Sequence, residues 1–143
     1  VNPGYDKALE QAIALVDNDA EDNYYYAALY YKAFCYKRLE KQDEAKLAYR
    51  QANSIYRLAT LKNPAAVDVY LYRAMVLKDT EEYIKALEIL DFLLGVSTEI
   101  AEVYSLKADI FRILGKHAQA DEQIEIAYKL KPELKPAEVK VGE

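Results

Sequence analysis

Catalysis needs acids, bases, nucleophiles or metal ligands that converge, and this chain carries few of them. His117 is its only histidine, and Asp121 follows about one helical turn later, a pair of metal ligands at most. No cysteine or second histidine is placed to complete a usual site, so His117 reads as a solvated residue in a turn. Cys35, the only cysteine, sits between Phe34 and Tyr36, where a buried structural thiol is expected rather than a nucleophile. The four glycines are scattered and form no phosphate-cradling loop. Glu81 and Glu82 stand at a helix start, where the helix dipole favours carboxylates without any chemistry. No enzyme, cofactor or metal site is expected.

The cations make a more regular pattern. Lys37, Lys78 and Arg112 recur near the ends of three predicted helices and would form a row along one rim, although the dipole alone favours cations there. Lys32, Arg73 and Lys107 can run their stems along apolar seams. The net charge of −5 argues against nucleic acid as a partner.

The elements that hold these residues are helices. Ala101 to Pro132 contains two amphipathic segments separated by Gly115 and stopped by Pro132. Val103, Tyr104, Ala108, Phe111 and Leu114 form the first apolar stripe, and Ala120, Ile124, Ala127 and Tyr128 the second. Glycine tolerates the positive φ that ends a helix, and proline cannot continue one. The unit is therefore a helical hairpin with small residues at its crossing.

Two copies lie upstream. Leu29, Ala33 and Tyr36 share the spacing of Tyr104, Ala108 and Phe111, and so do Tyr70, Ala74 and Leu77. The second helices open at Ala45, Ala86 and Ala120, separated by 41 and then 34 residues. The excess of seven is about two helical turns, so it lengthens the helix after Ala45 up to Asn63-Pro64 without rotating its stripe. Pro64 then falls near the start of the next helix, and Glu81 stands where the last hairpin has its turn glycine. Three first helices share a local string: Tyr31-Lys32-Ala33, Tyr72-Arg73-Ala74 and Leu106-Lys107-Ala108. Upstream, residues 5–17 form an unpaired helix with Ala8, Leu9, Ala12, Ile13 and Val16 on one face, followed by an acidic connector in which Asp19 and Asp22 are N-cap candidates.

Tyr104, Ala108, Phe111, Gly115, Ala120, Ile124, Ala127 and Pro132 together resemble the tetratricopeptide repeat, with Lys107 a departure where that family usually has an apolar residue. The expected architecture is all-α: a right-handed superhelix of tetratricopeptide-like hairpins in one domain. It comprises an orphan helix at 5–17, repeats at about 23–63, 64–97 and 98–132, and a tail at 133–143.

The resemblance implies a non-catalytic protein–protein interaction module, an adaptor or scaffold that holds a peptide or partner helix in a concave groove. Its groove positions fall on Tyr30, Tyr31, Phe34 and Lys37, then Leu71, Tyr72, Met75 and Lys78, then Ser105, Leu106, Asp109 and Arg112. One subgroup clamps chaperone C-termini with lysines and asparagines. Here Tyr30, Phe34, Tyr72, Glu102 and Leu106 stand at those places, so that ligand is not expected. The alternative is a structural or self-assembly segment of a larger repeat array, with homodimerisation through the N-terminal helix. The chain has 143 residues and no run long enough for a membrane span. The lone cysteine favours the cytoplasm, with the periplasm open to a processed chain, and a start at Val1 suggests a fragment or processed product.

Overall fold

In the computed structural model, residues 4–18 and 24–137 are described, and among them every regular element is helical. The order is α1 (Tyr5–Asn18), α2 (Tyr25–Arg38), α3 (Gln42–Lys62), α4 (Val67–Asp79), α5 (Tyr83–Val96), α6 (Ala101–Ile113), α7 (His117–Leu130) and a 3-10 turn, Pro132–Leu134. Asp19 and Asp22 lie outside the described residues. At their N-termini, α2, α3, α4, α6 and α7 have no side-chain cap, so packing of their apolar faces must hold them.

The chain divides into two compact units, residues 1–86 and 87–143. In the first, α2 packs against α1, α3 and α4, and α3 against α4. Its core joins Leu29, Tyr30 and Ala33 of α2 to Ala45, Ala48, Tyr49, Ala52 and Tyr56 of α3, with Val69 and Val76 of α4. Leu9 and Ala12 of α1 are buried, and Val16 packs on the core. The outward residues of α1 are Asp6, Lys7, Glu10, Gln11, Ala14, Asp17 and Asn18.

In the second unit α6 packs against α7, and Ala108, Ala120 and Ala127 are fully buried. Lys107 keeps its stem mostly buried. Its ammonium lies 2.8 Å from Asp91 and 5.8 Å from the centre of the Phe111 ring, which explains how a cation is accommodated at a position the repeat usually leaves apolar.

The three turns after α2, α4 and α6 share one geometry. The amide of Lys41 donates to the carbonyl of Tyr36, Glu82 to Leu77 and Lys116 to Phe111, at 2.9, 2.7 and 2.8 Å. Each turn needs one residue with positive φ: Glu40 at 60°, Glu81 at 64° and Gly115 at 77°. This is the helix-ending motif that favours glycine. Glutamate at positive φ costs about 1 kcal/mol relative to a residue without Cβ. Glu81→Gly should therefore raise the melting temperature by about 3 °C, whereas Glu81→Ala should not. A differential scanning calorimetry trace in which alanine and glycine behave alike would refute this account of the turn.

α3 has 21 residues against 13 or 14 in the other helices. The seven-residue excess is thus helical, and Tyr56 and Thr60 within it are buried. Pro64 lies in the turn before α4 and not within it, and the Asn63 side chain accepts a hydrogen bond from the amide of Ala65 at 3.2 Å.

Candidate functional site

The proposed groove residues of the first unit come from α2 and α4. On α2, successive residues part company: Tyr30 is 5% exposed and Tyr31 is 49% exposed. Burial follows from what Tyr30 bonds. Its hydroxyl donates to Oδ2 of Asp79 at 2.7 Å, and the Tyr49 hydroxyl donates to the same oxygen at 2.8 Å. The Lys37 ammonium donates to the Asp79 carbonyl at 3.0 Å. One residue at the end of α4 therefore ties α2 and α3 together. Tyr30 belongs mainly to that core network and not to an open binding surface.

Burial, followed by the charge and hydrogen bond of Asp79, pushes both the Tyr30 and the Tyr49 phenols far up. Tyr56 is fully buried, donates to the carbonyl of Tyr26 at 2.5 Å, and is likewise pushed up, chiefly by desolvation.

Tyr31 stands edge-on to Tyr30, with ring centres 5.3 Å apart. Tyr72 of α4 stacks on Tyr56 at 6.1 Å, and burial raises its phenol, with Tyr31 as a second cause. Leu71, Tyr72 and Met75 are half-buried, the last two against the core. The accessible part of this face is thus Tyr31, backed by rings that the core holds in place.

Nearer the helix ends, Tyr30, Phe34, Lys37 and Lys78 come together. With Arg38, Glu40 and Asp79 they line a cleft of about 430 Å³. Arg38 lies over the Phe34 ring, 5.1 Å from its centre, and Tyr5 of α1 approaches the same ring at 6.1 Å. Arg38, Glu40 and Asp79 were not singled out by spacing, because their roles depend on contacts across the chain.

Asp109 and Arg112 lie in the second unit, both exposed, and Arg112 sits 3.3 Å from Asp121. Asp121 is therefore an ion-pair partner of Arg112. His117 is exposed as the first residue of α7. Cys35 is buried, and desolvation raises its thiol. No group of three His, Cys, Asp or Glu able to hold a metal occurs among the described residues. No described helix is long and apolar enough to cross a membrane.

No protein-family model matches the sequence, and no curated protein matches it. Solved structures do. One described as MamA MSR-1 aligns over 92% of this chain and 70% of its own, with 15% identity and a TM-score of 0.51. MamA 41-end from Desulfovibrio magneticus RS-1 aligns over 90% of this chain and 67% of its own, with 18% identity and a TM-score of 0.53. A MamA RS-1 double mutant gives 92%, 68%, 18% and 0.53 for the same quantities. At such identities the likeness is one of fold. These neighbours are all-helical, and the chain accordingly has a tetratricopeptide-like fold of helical repeats.

Proposed function

We propose that this chain is a non-catalytic protein-interaction module, an adaptor or scaffold, that holds a partner segment against the α2–α4 face of its first unit. The observation that carries the reading is Tyr31, a half-exposed aromatic residue whose ring rests on the buried Tyr30, itself hydrogen-bonded to Asp79. An aromatic side chain fixed by its neighbours loses little freedom when a partner covers it, and such anchors dominate many interfaces. Leu71, Tyr72 and Met75 supply apolar surface on the neighbouring helix. The buried thiol and the solvated histidine offer no convergent chemistry, which favours binding over catalysis.

Tyr72 is a poor probe because its ring packs on Tyr56, so truncation would also disturb the core. Tyr31→Ala is cleaner. Peptides selected from a displayed random library on the wild-type chain should bind Tyr31→Ala at least about tenfold more weakly by calorimetry, while the melting temperature moves little. Equal affinity for the two proteins would remove this face as the interaction site.

A further inference from the structure

Two helices carry outward faces that are apolar along their length and opposite in charge. On α3, Leu47, Leu58 and Leu61 are each more than half exposed. With the exposed Gln51 and Ser54 they form a row spaced 4, 3, 4 and 3 residues apart, the repeat along which one helix can follow another. The row is about 21 Å long. At about 100° per residue, the exposed Arg50, Arg57 and Lys46 stand about 60–100° to one side of it. From residue 45 to 62 the helix has four basic residues and no acidic one, in a chain whose net charge is −5. Arg73 of α4 adds to the same edge. Its Nε donates to Asn53 at 3.2 Å, one turn before Arg57. Burial, then the nearby charge of Arg57, lowers its pKa, and Tyr70 and Glu82 act in the opposite sense without reversing this.

The outward face of α5 is complementary. Ile84, Phe92 and Val96 are each about half exposed or more, and the exposed Glu88 stands among them. Lys85 is already paired with Glu82 at 3.2 Å, and Asp91 with Lys107 at 2.8 Å. Glu88 is thus the charge at the middle of the apolar group. Ile84 and Phe92 lie about 6 Å to either side of it along the helix axis. On α3, Leu58 and Leu47 lie about 7 Å and 10 Å to either side of the midpoint between Arg50 and Arg57. A carboxylate at that midpoint therefore leaves apolar residues facing one another on both sides. On α7, by contrast, the exposed Ile126 and Leu130 are only about 6 Å apart and would reach one end of the α3 row.

We infer that a second copy of this chain docks here, with α5 of one copy laid along α3 of the other and Glu88 between Arg50 and Arg57. Six exposed apolar side chains leave water in that contact, and the opposed charges set its register and speed encounter. Each copy offers both faces. A two-fold pair makes the contact twice, and any other arrangement extends it to further copies. The contact uses none of the residues of the Tyr31 face, so it stands apart from the peptide-binding reading.

The test is sedimentation velocity on the whole chain over about two decades of concentration, where reversible association that weakens with salt is expected. Arg50→Glu/Arg57→Glu and Glu88→Arg should each weaken it at least about tenfold, and all three changes in one chain should restore it. Leu58→Ser/Leu61→Ser should weaken it as much while helical dichroism stays unchanged, since both residues are exposed. Tyr31→Ala should associate like the wild type, which separates a failure of this contact from a failure of peptide binding. A chain that stays monomeric would overturn the inference. So would charge variants that associate like the wild type, or losses that the combined variant does not recover. Binding of a monomeric chain to phosphatidylserine vesicles would assign the α3 row to a lipid surface and overturn it too.

Discussion

Raising the pH above 10 should destabilise residues 1–86 and unfold them cooperatively, with a midpoint about 1 to 4 pH units above 10. Tyr30, Tyr49 and Tyr56 are 5%, 4% and 0% exposed, and desolvation is the first cause of the upward push on each. Their phenols therefore keep their protons in the folded chain to a pH well above the value of about 10 that they have when unfolded. Stability is complete below that unfolded value and is lost as the pH climbs from there toward the folded values. Each such tyrosine contributes a slope of about 1.4 kcal/mol per pH unit, so three together remove about 4 kcal/mol per unit. Domains of this size have roughly 5–15 kcal/mol in total. Tyrosinate absorbance and helical circular dichroism should consequently change together. In Tyr56→Phe the slope should fall by about a third, even though loss of the bond to Tyr26 lowers stability at neutral pH. A loss of stability with pH worth only one proton, or none, would contradict the burial of these phenols.

Asp79→Ala should cost about 2–4 kcal/mol in urea unfolding at neutral pH. The substitution leaves two phenolic hydroxyls without their acceptor, and an unsatisfied buried donor costs about 1–3 kcal/mol. Asp79→Asn keeps an acceptor oxygen and should cost about half as much. The bond from Lys37 reaches the backbone of residue 79, so both variants retain it. A double-mutant cycle of Asp79→Ala with Tyr30→Phe should show a coupling of about 1 kcal/mol or more. A loss below about 0.5 kcal/mol for Asp79→Ala would mean that water from the adjoining cleft replaces the carboxylate without penalty.

The periodic features of this fold were legible in the sequence because they are local. Ala33, Ala74 and Ala108 recur at one place in each first helix, and all three are fully buried. The spacing of Ala45, Ala86 and Ala120 located the lengthened helix, because a shift of about two turns keeps the apolar stripe in phase. Asp79 shows where that reading stops. A carboxylate at the end of a helix looks like surface charge, and its partners lie 49 and 30 residues away. The tetratricopeptide resemblance placed Tyr30 and Tyr31 on the same surface, yet adjacent helical positions point about 100° apart, enough to send one to the core. Glu40 was hidden differently. Positive φ is signalled by glycine, and here glutamate adopts it. Lys37, Lys78 and Arg112 were expected to share a rim; the first two line one cleft with Phe34, and Arg38 became visible only once Phe34 was seen beneath it.

The seven added residues of α3 also bear on how a chain of this kind can change length. A template of 34 residues laid along it fits the last two second helices and slips by seven at the first, so a search with a rigid period underreads the relatedness of its own repeats. Helical geometry makes the allowed slips discrete. An insertion of seven rotates the stripe by about 20°, whereas one of five would turn it by about 140° and drive charged residues into the core. Growth of such repeats by whole pairs of turns preserves every buried contact before the insertion. It projects new surface beyond the hairpin, here Leu58 and Leu61 at 62% and 78% exposed. Length variation in this architecture is thereby a source of new outward-facing residues that leaves the existing packing in register.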